Sequence, residues 1–194
     1  MRESTMNRNT GETQLACSIN LDGKGVFDGS TGIGFFDHML HLLSKHGGFD
    51  LNIECKGDLD VDTHHTVEDL GILLGQCLRN ALGDKRGIHR YGTFYCPMDE
   101  ALSRVTLDLS GRGFLVSDVE LKREKVGDFE TEMLNEFLYA FAINSGTTLH
   151  VTTLYGKNDH HIIESIFKAL GRALSEACRI DPGSDSIPST KGIL

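Results

Sequence analysis

Two short segments combine histidine with glutamate at a spacing that suits metal binding. The motif His-His-x-x-Glu occurs in "DTHHTVEDLGILLGQCL" as His64, His65 and Glu68, and in "DHHIIESIFKALGRAL" as His160, His161 and Glu164. Residues i and i+4 of an α-helix share a face, so the first histidine and the glutamate can bind one ion while the second histidine points away. Each helix is therefore expected to serve two metal sites. Such nitrogen and oxygen ligands suit Mn, Fe, Co, Ni or Zn, and we favour a six-coordinate ion such as Mn²⁺.

The two motifs belong to a longer internal repeat. The strand-like segment "ETQLACSINLDGKG" (12–25) aligns without gaps with "EALSRVTLDLSGRG" (100–113), and another strand-like segment, "GGFDLNIECKG" or "SGTTLHVTTLYG", precedes each motif. A further helix, in "FFDHMLHLLSKHG" or "TEMLNEFLYAFAIN", lies before that strand. Each half thus reads strand, turn, strand, helix, strand, helix. The alternative, chance similarity between amphipathic helices, does not account for the matched strands.

This pattern predicts an α+β fold built from two duplicated halves related by a pseudo-twofold axis. Each half is expected to have a mixed or antiparallel sheet packed on two helices. The segment "GDKRG" near Gly87 supplies a helix stop and a connector. We therefore predict a first repeat over residues 1–87, a second over residues 88–182 and a C-terminal tail over residues 183–194, all in one catalytic domain.

The duplication predicts metal sites that combine ligands from both halves. One site would contain His64, Glu68 and His161, and the other His160, Glu164 and His65. Aligning the middle strands of the halves pairs His38 with Glu136; His38 is expected in the second of these sites and Glu136 in the first. A single histidine at a helix start is more often a cap or a surface residue, but repetition of the whole motif favours metal binding.

Composition excludes several classes of function. The formal net charge of −9 disfavours a general nucleic-acid binder, which needs clustered lysine and arginine, but allows a small phosphorylated ligand. No apolar run approaches the roughly 20 residues that span a bilayer, so no membrane partner is expected. The start "MRESTMNRNTGETQ" lacks the apolar core of a secretory signal, and the five cysteines form no C-x-x-C pair. We therefore expect a cytoplasmic protein with reduced thiols.

Over nearly its whole length the sequence resembles the imidazoleglycerol-phosphate dehydratase family. The resemblance lies in "RNTGET" (8–13), "GFFDHMLHLLSKHGG", "HHTVEDLGILLG", "PMDEALSRVTLDLSGR", "HHIIESIFKA" and the tail "PSTKGIL". It implies a fold like domain 2 of ribosomal protein S5, two Mn²⁺ ions per active site, and a homo-oligomer of 24 subunits with active sites at subunit interfaces. The implied reaction is removal of water from D-erythro-imidazole glycerol phosphate to give imidazole acetol phosphate, in L-histidine biosynthesis. Many family members have histidine at the position of Glu136, where a carboxylate can also bind the ion.

The resemblance also implies roles for residues outside the metal motifs. Glu12 is expected to act as an acid or base that contacts substrate, and His46 to lie on the substrate side. From the residues alone, Glu12 could be a solvated strand-start residue, and His46 could be a helix C-terminal residue favoured by the helix dipole. The implied phosphate contacts are Arg90, Arg112, Lys168, Ser189, Thr190 and Lys191. Composition alone would make the tail a mobile terminus; the resemblance implies that it orders over the phosphate.

The chemistry of this reaction explains why metals are needed. The proton to be removed sits on a carbon with no adjacent carbonyl, so its acidity is negligible. A metal-bound imidazole ring can become imidazolate, because the cation stabilises the anion. The imidazolate can expel the neighbouring hydroxyl group, which makes the adjacent C–H acidic and lets a carboxylate such as Glu12 move that proton.

Three other functions could use a similar set of residues. A dinuclear metallohydrolase would use a metal-activated water and would cleave chromogenic phosphoesters. A metal-storage or structural assembly would not need the cations and the Ser-Thr-Lys tail that can hold a phosphate. A metal-sensing regulator would need a nucleic-acid-reading motif, and none is apparent in the sequence.

Overall fold

The computed structural model describes residues 2–194, which form the predicted duplicated α+β fold. The first half contains β1 (Glu3–Asn9), β2 (Thr13–Asn20), β3 (Phe27–Ser30), α1 (Gly34–Gly47), β4 (Asp50–Gly57) and α2 (His64–Leu82). The second half contains β5 (Tyr91–Met98), β6 (Ala101–Asp108), β7 (Phe114–Asp118), β8 (Lys125–Val126), β9 (Phe129–Glu130), α3 (Met133–Ser145), β10 (Thr148–Tyr155) and α4 (Asp159–Cys178). Each half has the predicted order of elements, preceded by one further strand, β1 or β5. The small hairpin β8–β9 has no counterpart in the first half, as far as residues 2–87 are described.

The two halves build four-stranded sheets of the same topology. The strand orders are β1-β2-β4-β3 and β5-β6-β10-β7. The first three strands of each sheet are antiparallel, and the edge strand β3 or β7 runs parallel to its neighbour. This arrangement confirms the predicted mixed sheet in each half.

Alternation of apolar and polar residues fixes which face of each sheet is buried. In β2 the buried side chains are Thr13, Leu15, Cys17 and Ile19, and in β6 they are Ala101, Ser103, Val105 and Leu107. Side chains two residues apart point to the same face of a strand, so these sets lie against the helices. The two sets occupy aligned positions of the repeat, so the halves use the same register toward the core.

The helices join the two halves, because α1 packs on α4 and α2 packs on α3. Close packing occurs at two glycines that are equivalent in the repeat. A Cβ atom on Gly75 would lie 2.7 Å from the carbonyl oxygen of Phe141, and one on Gly171 would lie 2.7 Å from that of Leu43. Glycine is therefore required at both crossings, where a side chain would collide with the backbone of the partner helix.

The β8–β9 hairpin of the second half caps both helices of the first half. Asp128 accepts hydrogen bonds from the backbone N–H groups of Gly34 and Phe35, at 2.6 and 3.0 Å, where α1 begins. Glu130 accepts a hydrogen bond from the hydroxyl of Thr63, the N-cap residue of α2. An acidic side chain at a helix N-terminus satisfies free N–H groups and favours the dipole. The hairpin thereby fixes the starts of the two helices that carry the first half's histidines.

In the part of the chain that the structure describes, residues 2–194, none of the helices is both long and apolar enough to cross a membrane.

Candidate metal centre

His38, His160 and Glu164 come together where α1 packs on α4. The Oε2 atom of Glu164 lies 3.2 Å from Nε2 of His160 and 3.6 Å from Nε2 of His38. His160 and Glu164 share one face of α4, as the i, i+4 spacing predicts, and α1 supplies His38. Within residues 2–194, this is the one group of three or more such side chains whose ligand atoms lie within 4.8 Å of one another.

Glu164 divides its two oxygens between the histidines and a lysine. Its carboxylate is buried, with 8% of the side chain exposed, and Oε1 lies 2.5 Å from Nζ of Lys168. Burial alone would raise the pKa of Glu164, but the hydrogen bond and charge of Lys168, together with His160 and His38, lower it below its usual value. The carboxylate is therefore ionised at neutral pH and keeps Oε2 available beside the two imidazoles.

The corresponding group in the first half is more open. Nε2 of His64 lies 3.5 Å from Oε2 of Glu68, and both side chains are more than two-fifths exposed. Glu136 is half-buried in the first turn of α3, the helix that packs on α2 as α1 packs on α4. Glu136 on α3 therefore has the same position relative to α2 as His38 on α1 has relative to α4.

His65 is held by residues outside its own helix. Its Nδ1 atom lies 2.9 Å from Oδ2 of Asp58, which directly follows β4, and its Nε2 atom lies 3.7 Å from Oε1 of Glu12. The hydrogen bond with Asp58 is the main cause that raises the pKa of His65. The fold thus brings the predicted ligand His65 next to the predicted acid-base residue Glu12.

His161 has a similar environment in the second half. Its Nδ1 atom lies 2.7 Å from Oε2 of Glu100 and its Nε2 atom 3.7 Å from Oδ2 of Asp99. The hydrogen bond with Glu100 raises the pKa of His161, and the same bond, with the backbone amides of Asn158 and Lys157, lowers the pKa of Glu100 to about 2.

Within one chain, the two second histidines of the motifs do not join the expected partners. His65 contacts Asp58 and Glu12 but does not belong to the group of His160 and Glu164. His161 contacts acidic residues of the β5–β6 turn. The expected ligand sets, which combine residues of both motifs, are therefore not assembled among residues 2–194 of a single chain.

The donor atoms that do converge fit a divalent transition metal ion. The three groups offer two imidazole nitrogens and one carboxylate oxygen, a donor set that Mn, Fe, Co, Ni and Zn accept. Ligands bound at about 2.0–2.2 Å to a common ion lie at most about 4.4 Å apart, and the two distances from Glu164 Oε2 satisfy this limit. The donors are therefore of a type that such an ion accepts, and two of their three separations lie within this limit.

His46 lies close to this group, near the C-terminal end of α1. It is half-buried, and burial lowers its pKa; the positive charges of Lys168 and Arg172 lower the pKa further. A neutral imidazole at neutral pH can accept a proton. This environment is compatible with the predicted substrate-side role of His46.

Most of the predicted phosphate contacts gather in a second region. A cavity of about 760 Å³ lies between the start of β5, the β6–β7 connection and the C-terminal tail. Its lining includes five of the predicted residues, Arg90, Arg112, Ser189, Thr190 and Lys191. Lys168, the sixth, lies apart from them on α4, beside Glu164.

Arg90 is fixed in this cavity by an acid that sequence reasoning did not identify. The guanidinium Nε and Nη2 atoms donate to the two oxygens of Asp108 at 2.7 and 3.1 Å, and Nη1 donates to the carbonyl of Pro188 at 2.8 Å. The hydrogen bond with Asp108 raises the pKa of Arg90. The backbone of Arg90 has φ = 74°, a left-handed conformation that costs a non-glycine residue about 1–2 kcal/mol. These contacts hold a permanent cation against the tail.

Asp58 and Glu100 were also not identified from the sequence. The available signal for Glu100 was its alignment with Glu12 at the start of the repeated strand. Asp58 lies in an acidic loop, "GDLDVD", where the sequence does not distinguish the carboxylate that reaches His65.

Comparisons with known proteins agree on one family. The family model described as "Imidazoleglycerol-phosphate dehydratase" matches residues 31–174. Two relatives of that name, from Thermoanaerobacter sp. and Oceanobacillus iheyensis, are 62% and 57% identical over 194 residues and cover 100% of both chains.

Two solved structures match the fold. The imidazoleglycerol-phosphate dehydratase of Staphylococcus aureus is 44% identical with a TM-score of 0.84, over 92% of this chain and 99% of that one. The Pyrococcus furiosus protein, solved in complex with (S)-C348, is 35% identical with a TM-score of 0.84, over 97% of this chain and 100% of that one. Sequence and structure thus confirm the resemblance, and the chain belongs to the imidazoleglycerol-phosphate dehydratase family, the hydro-lyases of histidine biosynthesis.

Proposed function

We propose that this protein removes water from D-erythro-imidazole glycerol phosphate to give imidazole acetol phosphate, using two divalent metal ions, preferably Mn²⁺, per active site. The observation that carries the proposal is the convergence of His38, His160 and Glu164 in a chain of this family. One ion would be held by these residues with His65, and the other by His64, Glu68, Glu136 and His161. When bound, the ions would lower the pKa of the substrate's imidazole ring, so that the ring itself could supply the electron pair that expels the neighbouring hydroxyl group.

Two residues would handle protons in this site. Glu12 is an exposed carboxylate 3.7 Å from Nε2 of His65, on the side of the imidazole that is not bound to Asp58. A carboxylate there can take the proton from the substrate carbon. His46, kept neutral by burial and by Lys168 and Arg172, would contact the substrate and accept or return a proton.

The cavity beside the tail would bind the phosphate. Arg112 offers a planar guanidinium group that fits phosphate oxygens, Arg90 adds a positive charge held in place by Asp108 and Pro188, and the tail adds Ser189, Thr190 and Lys191. Lys168 would add a charge near Glu164. In this proposal, residues 1–87 and 88–182 form a single catalytic domain with the phosphate-binding tail of residues 183–194.

Assembly is part of the proposal. The exposure of His38, His64 and Glu68 supports sites that are completed by another copy of the chain. We propose the 24-subunit homo-oligomer that the resemblance implies, with active sites between subunits; light scattering of the purified protein measures that mass. A cytoplasmic location is supported by the five free cysteines.

The function is tested by incubating the Mn²⁺-loaded protein with imidazole glycerol phosphate. The expected product is an enolisable ketone, measured by the absorbance of its enolate in alkali. The His160→Ala variant is the matched control and should give none. Release of inorganic phosphate instead of ketone, or turnover of a chromogenic phosphoester, would favour a metallohydrolase and contradict the proposal.

A further inference from the structure

Two carboxylates outside the motifs hold the second histidine of each motif through the same ring atom. Nδ1 of His65 lies 2.9 Å from Asp58, and Nδ1 of His161 lies 2.7 Å from Glu100. An ionised carboxylate accepts hydrogen bonds and cannot donate one, so Nδ1 carries the proton in both rings. The lone pair of each neutral ring is then on Nε2, the atom left for a metal ion.

We propose that Asp58 and Glu100 are positioning residues that fix the tautomer and orientation of His65 and His161, so that each ring presents Nε2 to a divalent metal ion. This inference rests on the proposed metal-dependent function and assigns the residues that prepare two of its ligands. Carboxylates that orient metal-binding histidines are a common means of raising metal affinity.

Glu100 is rigidly fixed for this role. Its other oxygen, Oε1, accepts hydrogen bonds from the backbone N–H groups of Lys157 at 3.1 Å and Asn158 at 2.8 Å, immediately before α4. The side chain of Asn158 in turn accepts from the backbone N–H of His160 and caps the helix. Glu100 is thus attached to the start of the helix that carries His161, so helix and ring are aligned together.

Asp58 is committed to His65 for a different reason. Its second oxygen, Oδ1, is buried and has no hydrogen-bond partner among residues 2–194. The contact of Oδ2 with Nδ1 of His65 is therefore the one side-chain hydrogen bond that Asp58 makes among residues 2–194. The loop after β4 therefore positions the Asp58 carboxylate to bind the imidazole of His65.

The test is Mn²⁺ binding by the chelator-stripped full-length chain, with free Mn²⁺ measured by electron paramagnetic resonance. In Glu100→Gln, the amide oxygen can keep the bonds from Lys157 and Asn158, which turns the NH₂ group toward His161 and forces Nδ1 to accept. That tautomer puts the proton on Nε2, so the site containing His161 should bind Mn²⁺ about 10- to 100-fold more weakly. Asp58→Asn should weaken the His65 site less, because its amide can turn and keep an oxygen on Nδ1.

A double variant separates positioning from a purely structural role. If Glu100 acts through His161, adding Glu100→Gln to His161→Ala should cause no further loss of Mn²⁺ affinity; additive losses would overturn the inference. Unchanged affinity in both Glu100→Gln and Asp58→Asn would also overturn it. Glu54→Gln, at an exposed glutamate on β4, is the matched control. A wild-type chain that binds Mn²⁺ but forms no ketone would contradict the proposed function while leaving this comparison intact.

Discussion

Glu12 in the first half and Glu100 in the second occupy aligned positions of the repeat, but they face different nitrogens of the neighbouring histidine. Glu100 lies 2.7 Å from Nδ1 of His161 and also accepts two backbone N–H groups. Glu12 lies 3.7 Å from Nε2 of His65, and Asp58 holds the Nδ1 atom of that ring. The duplicated scaffold therefore supports one fixed carboxylate and one that has few constraints.

In the proposed function, this difference divides two tasks between the aligned glutamates. A carboxylate that is bound on both oxygens is suited to hold a ring in place, whereas proton transfer needs a carboxylate that is accessible to substrate. Because Asp58 supplies the contact to Nδ1 in the first half, Glu12 is not needed there. Its side chain is 54% exposed, compared with 39% for Glu100.

The His-Glu faces of α2 and α4 also differ. Glu164 is buried between two histidines and Lys168, whereas Glu68 is 44% exposed and has Ile72 at the position that corresponds to Lys168. The cavity of about 760 Å³ also lies in the second half and the tail. Glu164 therefore lies in a buried, charged environment, whereas Glu68 lies in an open one.

The largest expected effect comes from removing a ligand in either half. His160→Ala and His64→Ala should each lower kcat/KM at least about 1,000-fold, because a Lewis-acid contribution of several kcal/mol converts at 1.36 kcal/mol per factor of ten. Metal content, measured by elemental analysis, should fall in both. His150→Ala, at an exposed position on β10, is the control. Full metal content in the His64 variant would show that the open face is not a metal site.

The next effect separates the aligned glutamates. Glu12→Gln should lower kcat about 100- to 10,000-fold, the usual contribution of a general acid or base, while Mn²⁺ binding stays at the wild-type level. Steady-state kinetics and an Mn²⁺ titration of the same preparation provide the two measurements. If Glu12→Gln lost metal affinity as Glu100→Gln is expected to do, the two glutamates would have the same role and the comparison would fail.

A smaller effect is expected at the aligned turns of the repeat. Arg112 lines the cavity that we propose for the phosphate, whereas its counterpart Lys24 is an exposed residue of the β2–β3 connection. Loss of a charge-assisted contact worth about 1.5–3 kcal/mol should raise KM about 10- to 100-fold in Arg112→Ala, with little change in Lys24→Ala. Initial rates over a range of substrate concentrations measure both. Equal KM values for Arg112→Ala and Lys24→Ala would mean that Arg112 does not bind the phosphate.

The sequence predicted the repeat, the helices and most of the side chains that meet, because helical and strand periodicity determine which residues share a face. The pairing of His160 with Glu164 follows from their i, i+4 spacing. The equivalence of His38 and Glu136 follows from the alignment of the two halves. The contacts of Asp58, Glu100 and Asp108 were missed, because each depends on the path of a loop or strand end that periodicity does not encode. The β8–β9 hairpin was missed for the same reason.

The partners of the second histidines show a further limit of the sequence. Pseudo-twofold reasoning grouped His65 with His160 and Glu164, whereas within one chain His65 lies beside Asp58 and Glu12. A repeat pattern specifies which residues are equivalent but does not specify whether equivalent residues meet within a chain or between copies.

The smallest differences between the halves are expected at the helix crossings, where the structure is nearly the same. Alanine at Gly75 or Gly171 would place Cβ 2.7 Å from a backbone carbonyl oxygen of the partner helix. Such overpacking costs typically about 1–3 kcal/mol and outweighs the roughly 1 kcal/mol that alanine gains over glycine in a helix. Both variants should therefore be destabilised to a similar extent, measured as the denaturant midpoint at one protein concentration. Gly11→Ala, where a Cβ meets nothing within 4 Å, is the control. Because the clash distances match, a stabilised variant, or a large difference between the two, would mean that the crossings are not equivalent and that the duplication does not extend to the packing of the core.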